Sequence, residues 1–176
     1  GGRSFLEARH IQLPEGTPDD PPEAETVRGI GNRKNELVQQ LIRTQGVHVY
    51  PGSVRFLHAV RGAGLRTAVC SSSANAGEVL RVTGLDALID VRVDGVTLAE
   101  LRLPGKPAPD LFLEGARRVG VAPANAAVFE DAIAGVEAGR AGHFGYVIGV
   151  DRGVGEDALR RHGADTVVHD LAELLE

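Results

Sequence analysis

The sequence predicts an α/β protein built on a parallel sheet. From about residue 53 onward, short β-rich runs alternate with amphipathic helical stretches. Strands that alternate with helices run parallel, because the helix carries the crossover. Glycine occurs 23 times in 176 residues, and many glycines sit where an α/β fold turns tightly. A chain of this length forms one domain, or one domain with a small appendage. It buries enough core to need no staple.

Residues 3–10 suit a short helix through Phe5, Leu6 and Ala8. Pro14, Pro18, Pro21 and Pro22, four prolines in nine residues, forbid a regular element, so this stretch is a loop. A helix resumes near Ala24. Asn32 can cap another, with Leu37, Val38, Leu41 and Ile42 as its apolar stripe and Gly46 at its end. Residues 1–48 thus read as helices and loops only.

The texture changes at Tyr50-Pro51-Gly52. Val54–Ala63 is an amphipathic helix ended by Gly64, and Leu65–Cys70 a β-rich run. Helix is expected at Asn75–Thr83, Pro109–Val119, Ala132–Ala141, Glu156–His162 and Leu171–Leu175. Strands are expected at Ala126–Phe129, Tyr146–Val150 and Thr166–Val168. Val93-Asp94-Gly95-Val96 reads as an ordinary turn.

Composition excludes several classes. Acids outnumber Lys and Arg by 24 to 19, the basic residues are scattered, and aromatics are 4%. A general nucleic-acid binder needs a basic face and often stacking rings. The apolar runs fall far short of the ~20 residues of a membrane helix, and no signal peptide is recognisable. One cysteine, Cys70, cannot form an internal disulfide and fits a reducing cytoplasm. The six histidines show no zinc-type spacing, and neither Gly-x-Ser-x-Gly nor Gly-x-Gly-x-x-Gly follows a strand.

In parallel sheets, ligands gather at the carboxyl ends of strands. Three such ends carry chemistry. After Cys70 come Ser71, Ser72, Ser73 and Asn75, opening a helix. Hydroxyls and free N–H groups there cradle phosphate, or simply cap the helix. Lys106 lies between Gly105 and two prolines, so rigid backbone aims its cation, unless it is only a solvated Lys before a Pro-initiated helix. Glu130 and Asp131 end an apolar strand. Adjacent carboxylates are costly without a cation and suit Mg²⁺, or else they cap the next helix. Small residues in 132–142 let that helix lie tight on the sheet. Cradle, cation and acid pair together are the needs of metal-assisted phosphoryl transfer.

In these motifs the sequence resembles the haloacid dehalogenase superfamily of phosphohydrolases, nearest to its β-phosphoglucomutase-like members. Cys70-Ser71-Ser72-Ser73-Ala74-Asn75 is similar to the second motif, Lys106-Pro107-Ala108-Pro109-Asp110 to the third, and Val128-Phe129-Glu130-Asp131 with Gly135 to the fourth. The resemblance implies a Rossmann-like parallel sheet with helices on both faces over 51–176, and part of a helical cap over 1–50. It implies that Ser71 holds the transferring phosphoryl group, that Lys106 neutralises it, and that Glu130 and Asp131 bind Mg²⁺ directly or through water. Ser73 and Asn75 would meet a sugar's second phosphate, and Arg28, Gly29 and Arg33 would reach substrate from the cap.

The superfamily's first motif, Asp-x-Asp-Gly, carries the aspartyl nucleophile and is not found here. The sequence has no Met and is read as beginning inside the cap, without the first strand of the core. That strand would lie between the strands ending at Cys70 and Phe129. The expected function is Mg²⁺-dependent phosphoryl transfer on a small phosphorylated metabolite, as phosphatase or sugar-phosphate mutase, in the intact protein. It needs the missing N-terminal segment as partner, and this chain alone is expected to be inactive. The rival is a non-catalytic relative that binds phosphate or Mg²⁺ only.

Overall fold

The proline-rich stretch after Leu13 holds no regular element in the computed structural model, which describes Leu6 and residues 10–175. Of the helix expected over 3–10, Leu6 is helical and His10 is in a turn, and the remainder lies outside the described residues. The chain divides into two compact units, Gly1–Val47 and His48–Glu176.

The first unit is organised around α1, Val27–Gln45. Its cap is Thr26, whose hydroxyl accepts from Gly29 N at 2.9 Å. The two helices expected near Ala24 and after Asn32 are therefore one. Asn32 is a helix-interior residue whose amide donates to Pro18 O at 3.1 Å and Asp20 O at 2.8 Å. Asp20 in turn accepts from the hydroxyls of Thr17 at 2.7 Å and Thr26 at 2.6 Å. These bonds draw the prolyl loop onto α1. Ile42 of the expected stripe is buried, whereas Leu37 and Leu41 are about half exposed, 54% and 48%.

The second unit begins with α2, Pro51–Gly62. It starts three residues earlier than expected because Pro51 occupies the first turn, where its missing N–H costs nothing. Strand β1 is Ala68–Cys70. The three preceding residues were expected to extend it. Instead Thr67 N donates to Asp90 Oδ2 at 2.8 Å and the Thr67 hydroxyl to Leu88 O at 2.8 Å. Next comes α3, Ala76–Thr83.

Strand β2, Val91–Val93, and helix α4, Gly95–Leu101, occupy a stretch read as loop and turn. β2 pairs parallel with β1, Cys70 opposite Val93. Asp94 is the cap of α4: its Oδ1 accepts from Val96 N at 3.1 Å and Thr97 N at 3.2 Å. The turn reading of residues 93–96 is thus corrected to a strand end followed by a capped helix.

The remaining elements follow in the expected order. They are α5 (Asp110–Val119), β3 (Ala127–Glu130), α6 (Ile133–Ala141), β4 (Tyr146–Val150), α7 (Glu156–Arg161) and β5 (Thr166–Val168). Leu171–Leu175 is a 3₁₀ turn rather than an α-helix. Strands β3, β4 and β5 form a parallel sheet in that order, Glu130 opposite Gly149. Among the described residues no ladder joins β1 to β3, so the parallel strands form one pair and one triplet.

Helix α5 packs on β1 and β2, α6 on β3 and β4, and α7 on β4 and β5. The core they enclose contains Phe112, Ala116, Val128, Val136, Val147 and Leu159. Gly139 lets α6 lie close on its sheet: a Cβ there would stand 3.2 Å from Val147 and 3.3 Å from Val128. Gly115 does the same for α5, where a Cβ would stand 2.6 Å from Cys70 Sγ. No helix of the described residues is long and apolar enough to cross a membrane.

Candidate active site

The loop after β1 is folded by its own hydroxyls. Ser71 N extends the ladder to Val93 O at 2.9 Å. Ser71 Oγ then accepts from Ser73 N at 3.1 Å, and Ser73 Oγ from Asn75 N at 3.2 Å. Each hydroxyl is held by its oxygen, which leaves its hydrogen available to donate outward. Ser72 is exposed, and Asn75 is buried at the start of α3. No side chain caps α3, so these serines are not helix caps in the ordinary sense.

Two residues that the sequence reading did not single out support this loop. Gly95 N donates to Ser73 O at 3.2 Å, and a Cβ at Gly95 would stand 2.7 Å from Ser72 O and 2.8 Å from Ala74 N. Asp94, buried at the end of β2, pairs through Oδ2 with Arg92 Nε at 2.8 Å. The only local signal was an Asp-Gly pair, which equally marks a turn.

Lys106 lies before α5 and its side chain is only 17% exposed. Its Nζ bonds and ion-pairs with Glu130 Oε1. It also stands 4.7 Å from the centroid of the Phe112 ring. Burial pulls the Lys106 pKa below the usual lysine range, with the charges of Cys70 and Asp131 acting the other way. Burial pushes the Cys70 thiol up to about 11, opposed by Lys106 and Arg118. Cys70 is therefore a neutral packing group at neutral pH, as expected, and no nucleophile. The Glu130 pair ties the loop before α5 to the tip of β3.

The two acids at the tip of β3 differ. Glu130 uses both oxygens: Oε1 pairs with Lys106, and Oε2 accepts from Asp131 N and Ala132 N at 3.1 Å each. Both N–H groups lie ahead of Ile133, and α6 itself has no side-chain cap. Gly135 makes room for it, since a Cβ there would lie 2.5 Å from Glu130 Cγ. Asp131 is exposed, and its carboxylate accepts no hydrogen bond from the described residues. The two acids thus differ, Glu130 engaged by Lys106 and the turn before α6 and Asp131 open. Among the described residues no three His, Cys, Asp or Glu side chains cluster. The set fits Mg²⁺, which keeps several waters and takes one or two carboxylates plus substrate oxygens, and it does not fit an all-protein metal cage.

Arg28, Gly29 and Arg33 belong to the first unit. Arg28 Nε pairs with Glu15 at 3.3 Å, and Arg33 Nε donates to Pro22 O at 2.7 Å. Gly29 is buried, and a Cβ there would stand 2.9 Å from that of Ala24. Within their unit all three fasten the prolyl loop to α1.

Residues 1–143 match the haloacid dehalogenase-like hydrolase family. The chain is 58% identical over 179 residues to a β-phosphoglucomutase of Mycobacterium bovis, covering 99% of the chain and 68% of the relative. It is 33% identical over 133 residues to hexitol phosphatase A of Escherichia coli, covering 74% and 58%. Among solved structures it is similar to β-phosphoglucomutase from Clostridium difficile, with a TM-score of 0.76 and 25% identity, covering 98% of the chain and 72% of that structure. Strand-end serines, a buried lysine and a β3 acid pair on parallel strands agree with these matches. The chain belongs to the haloacid dehalogenase-like hydrolase family.

Proposed function

We propose that the intact protein transfers the phosphoryl group of a small sugar phosphate, and that residues 1–50 are part of a helical cap domain. The observation that carries this reading is the placing of Lys106. Its buried ammonium is held by Glu130 at the β3 tip. A phosphoryl group bound there would accept hydrogen bonds from the outward-turned Ser71 hydroxyl and give up part of its charge to Lys106. Ser72, Ser73 and Asn75 would hold the rest of the substrate, with Arg28, Gly29 and Arg33 serving from the cap. Asp131 would hold Mg²⁺ directly and Glu130 through water. When bound, the metal neutralises charge on the phosphoryl oxygens.

The attacking carboxylate is proposed to come from a segment outside this sequence. Glu130 is engaged, Asp131 is assigned to the metal, Asp110 opens α5 and Asp94 caps α4, so none of these acids is assigned as the nucleophile. The separation of β1 from β3 supports the same view. The setting proposed for this activity is the reducing cytoplasm, which the single cysteine supports.

The test is turnover of β-glucose 1-phosphate and of an aryl phosphate by the intact protein and its Lys106→Ala variant. One preorganised electrostatic group is worth ~10²–10³ in kcat, and a loss of that order is expected. A change under threefold would remove Lys106 from the chemistry. Product analysis separates phosphatase from mutase: free phosphate in the first case, the 6-phosphate isomer in the second.

A further inference from the structure

Phe112 is an unusual neighbour for the site. It lies on the first turn of α5, six residues after Lys106, and is 7% exposed. Its ring meets Phe144 edge-on, with centroids 6.0 Å apart and planes at 77°. Phe144 packs on this ring within the core, and the Lys106 ammonium stands over the ring 4.7 Å from its centroid. A ring that only filled the core would serve equally well as leucine. A ring face turned toward a desolvated cation offers it the negative side of the quadrupole.

We propose that Phe112 is a positioning residue for Lys106, holding the ammonium between the ring face and Glu130 in the place where it meets the phosphoryl group. Lysine has a flexible four-carbon stem and a point charge that a single carboxylate leaves free to swing. A second contact, from the ring, restricts that freedom. Gly105-Lys106-Pro107 fixes the root of the side chain, and Phe112 with Glu130 fixes its end. The inference rests on the role of Lys106 under the proposed function, so its test has an arm that needs no activity.

That arm is the NMR signal of the lysine ε-CH₂ group. The sequence contains two lysines, Lys34 and Lys106, and loss of a signal in Lys106→Arg identifies the one of interest in selectively ¹³C-labelled protein. The expected signal lies upfield of ordinary lysine through the ring current. It stays upfield in Phe112→Tyr, and returns to the ordinary position in Phe112→Leu. A Lys106 signal at the ordinary position in the unsubstituted protein overturns the proposal, whether or not any variant folds. So does an unmoved signal in Phe112→Leu.

The second arm is kinetic, in the intact protein. Phe112→Leu is expected to lower kcat by about 2- to 30-fold, the range into which a cation–ring contact converts. KM changes little, and Phe112→Tyr retains the rate. In the Lys106→Ala background Phe112→Leu has no further effect. An equal loss with and without Lys106 would mean that Phe112 acts only through packing. If Lys106→Ala itself leaves turnover intact, the proposed function fails while the NMR arm still decides this inference.

Discussion

Gly135 is the position at which a single methyl group tests how the site is held. It lies buried in the first turn of α6, and a Cβ there would stand 2.5 Å from Glu130 Cγ and overlap the carboxyl group. In an unobstructed helix Gly→Ala favours the alanine by about 1 kcal/mol. Here alanine fits only if Glu130 moves. Movement breaks its pair with Lys106 and its two bonds from Asp131 N and Ala132 N, each 3.1 Å. Hydrogen bonds to a charged group contribute ~1.5–3 kcal/mol each. Losing one or two of them outweighs the helix gain, leaving Gly135→Ala destabilised by roughly 0.5–5 kcal/mol. The assay is urea unfolding of the parent, Gly135→Ala, Glu130→Ala and the double variant. With Glu130 removed the methyl group has room, and Gly135→Ala becomes neutral or stabilising by up to about 1 kcal/mol. If Gly135→Ala is as stable as the parent with Glu130 in place, the carboxylate is not anchored where its three partners put it, and the division of labour between Glu130 and Asp131 collapses.

Asp131→Asn should abolish Mg²⁺-dependent turnover in the intact protein and also the rise in unfolding midpoint that Mg²⁺ produces by binding the native state; a retained Mg²⁺ shift would place the ion elsewhere. Glu114 lies between Arg117 Nε at 2.7 Å and Arg118 Nε at 2.6 Å, and their hydrogen bonds lower its pKa to about 2. A folded pKa below the ordinary carboxylate value means stability that is complete above about pH 4.5 and lost as pH falls toward about 2. Glu114→Gln should flatten the acid arm of the stability profile in that window, and an unchanged slope would refute it. Cys70, with its thiol pushed up to about 11 by burial, should react with iodoacetamide at neutral pH only when the protein is unfolded; rapid alkylation of the native state would contradict its burial. The 176-residue chain without a further segment should show no efficient turnover of either phosphate ester, and fast turnover would require a nucleophile among its own acids.

What could be read from the sequence was what is local. Alternating strand and helix from Pro51 onward shows itself in periods of 2 and 3.6, and β3, α6, β4, α7 and β5 stand within a residue or two of their expected places. The prolines after Leu13 exclude regular structure through their own φ and missing N–H. Ser71, Lys106 and the Glu130–Asp131 pair stood out because each follows or faces a strand end. Tertiary structure decided what depends on a distant partner. β2 is three residues long, too short for any period, and exists because β1 pairs with it. Asn32 is no cap because Thr26 starts the helix six residues earlier, and its amide donates to Pro18 O and Asp20 O instead. Side by side in sequence, Glu130 and Asp131 are equivalent acids. Lys106, 24 residues earlier, and the space over Gly135 turn one into a largely buried, paired carboxylate and leave the other open to solvent. Local propensity is written in neighbouring residues, whereas the energy of a buried charge is set by whatever group the fold brings against it.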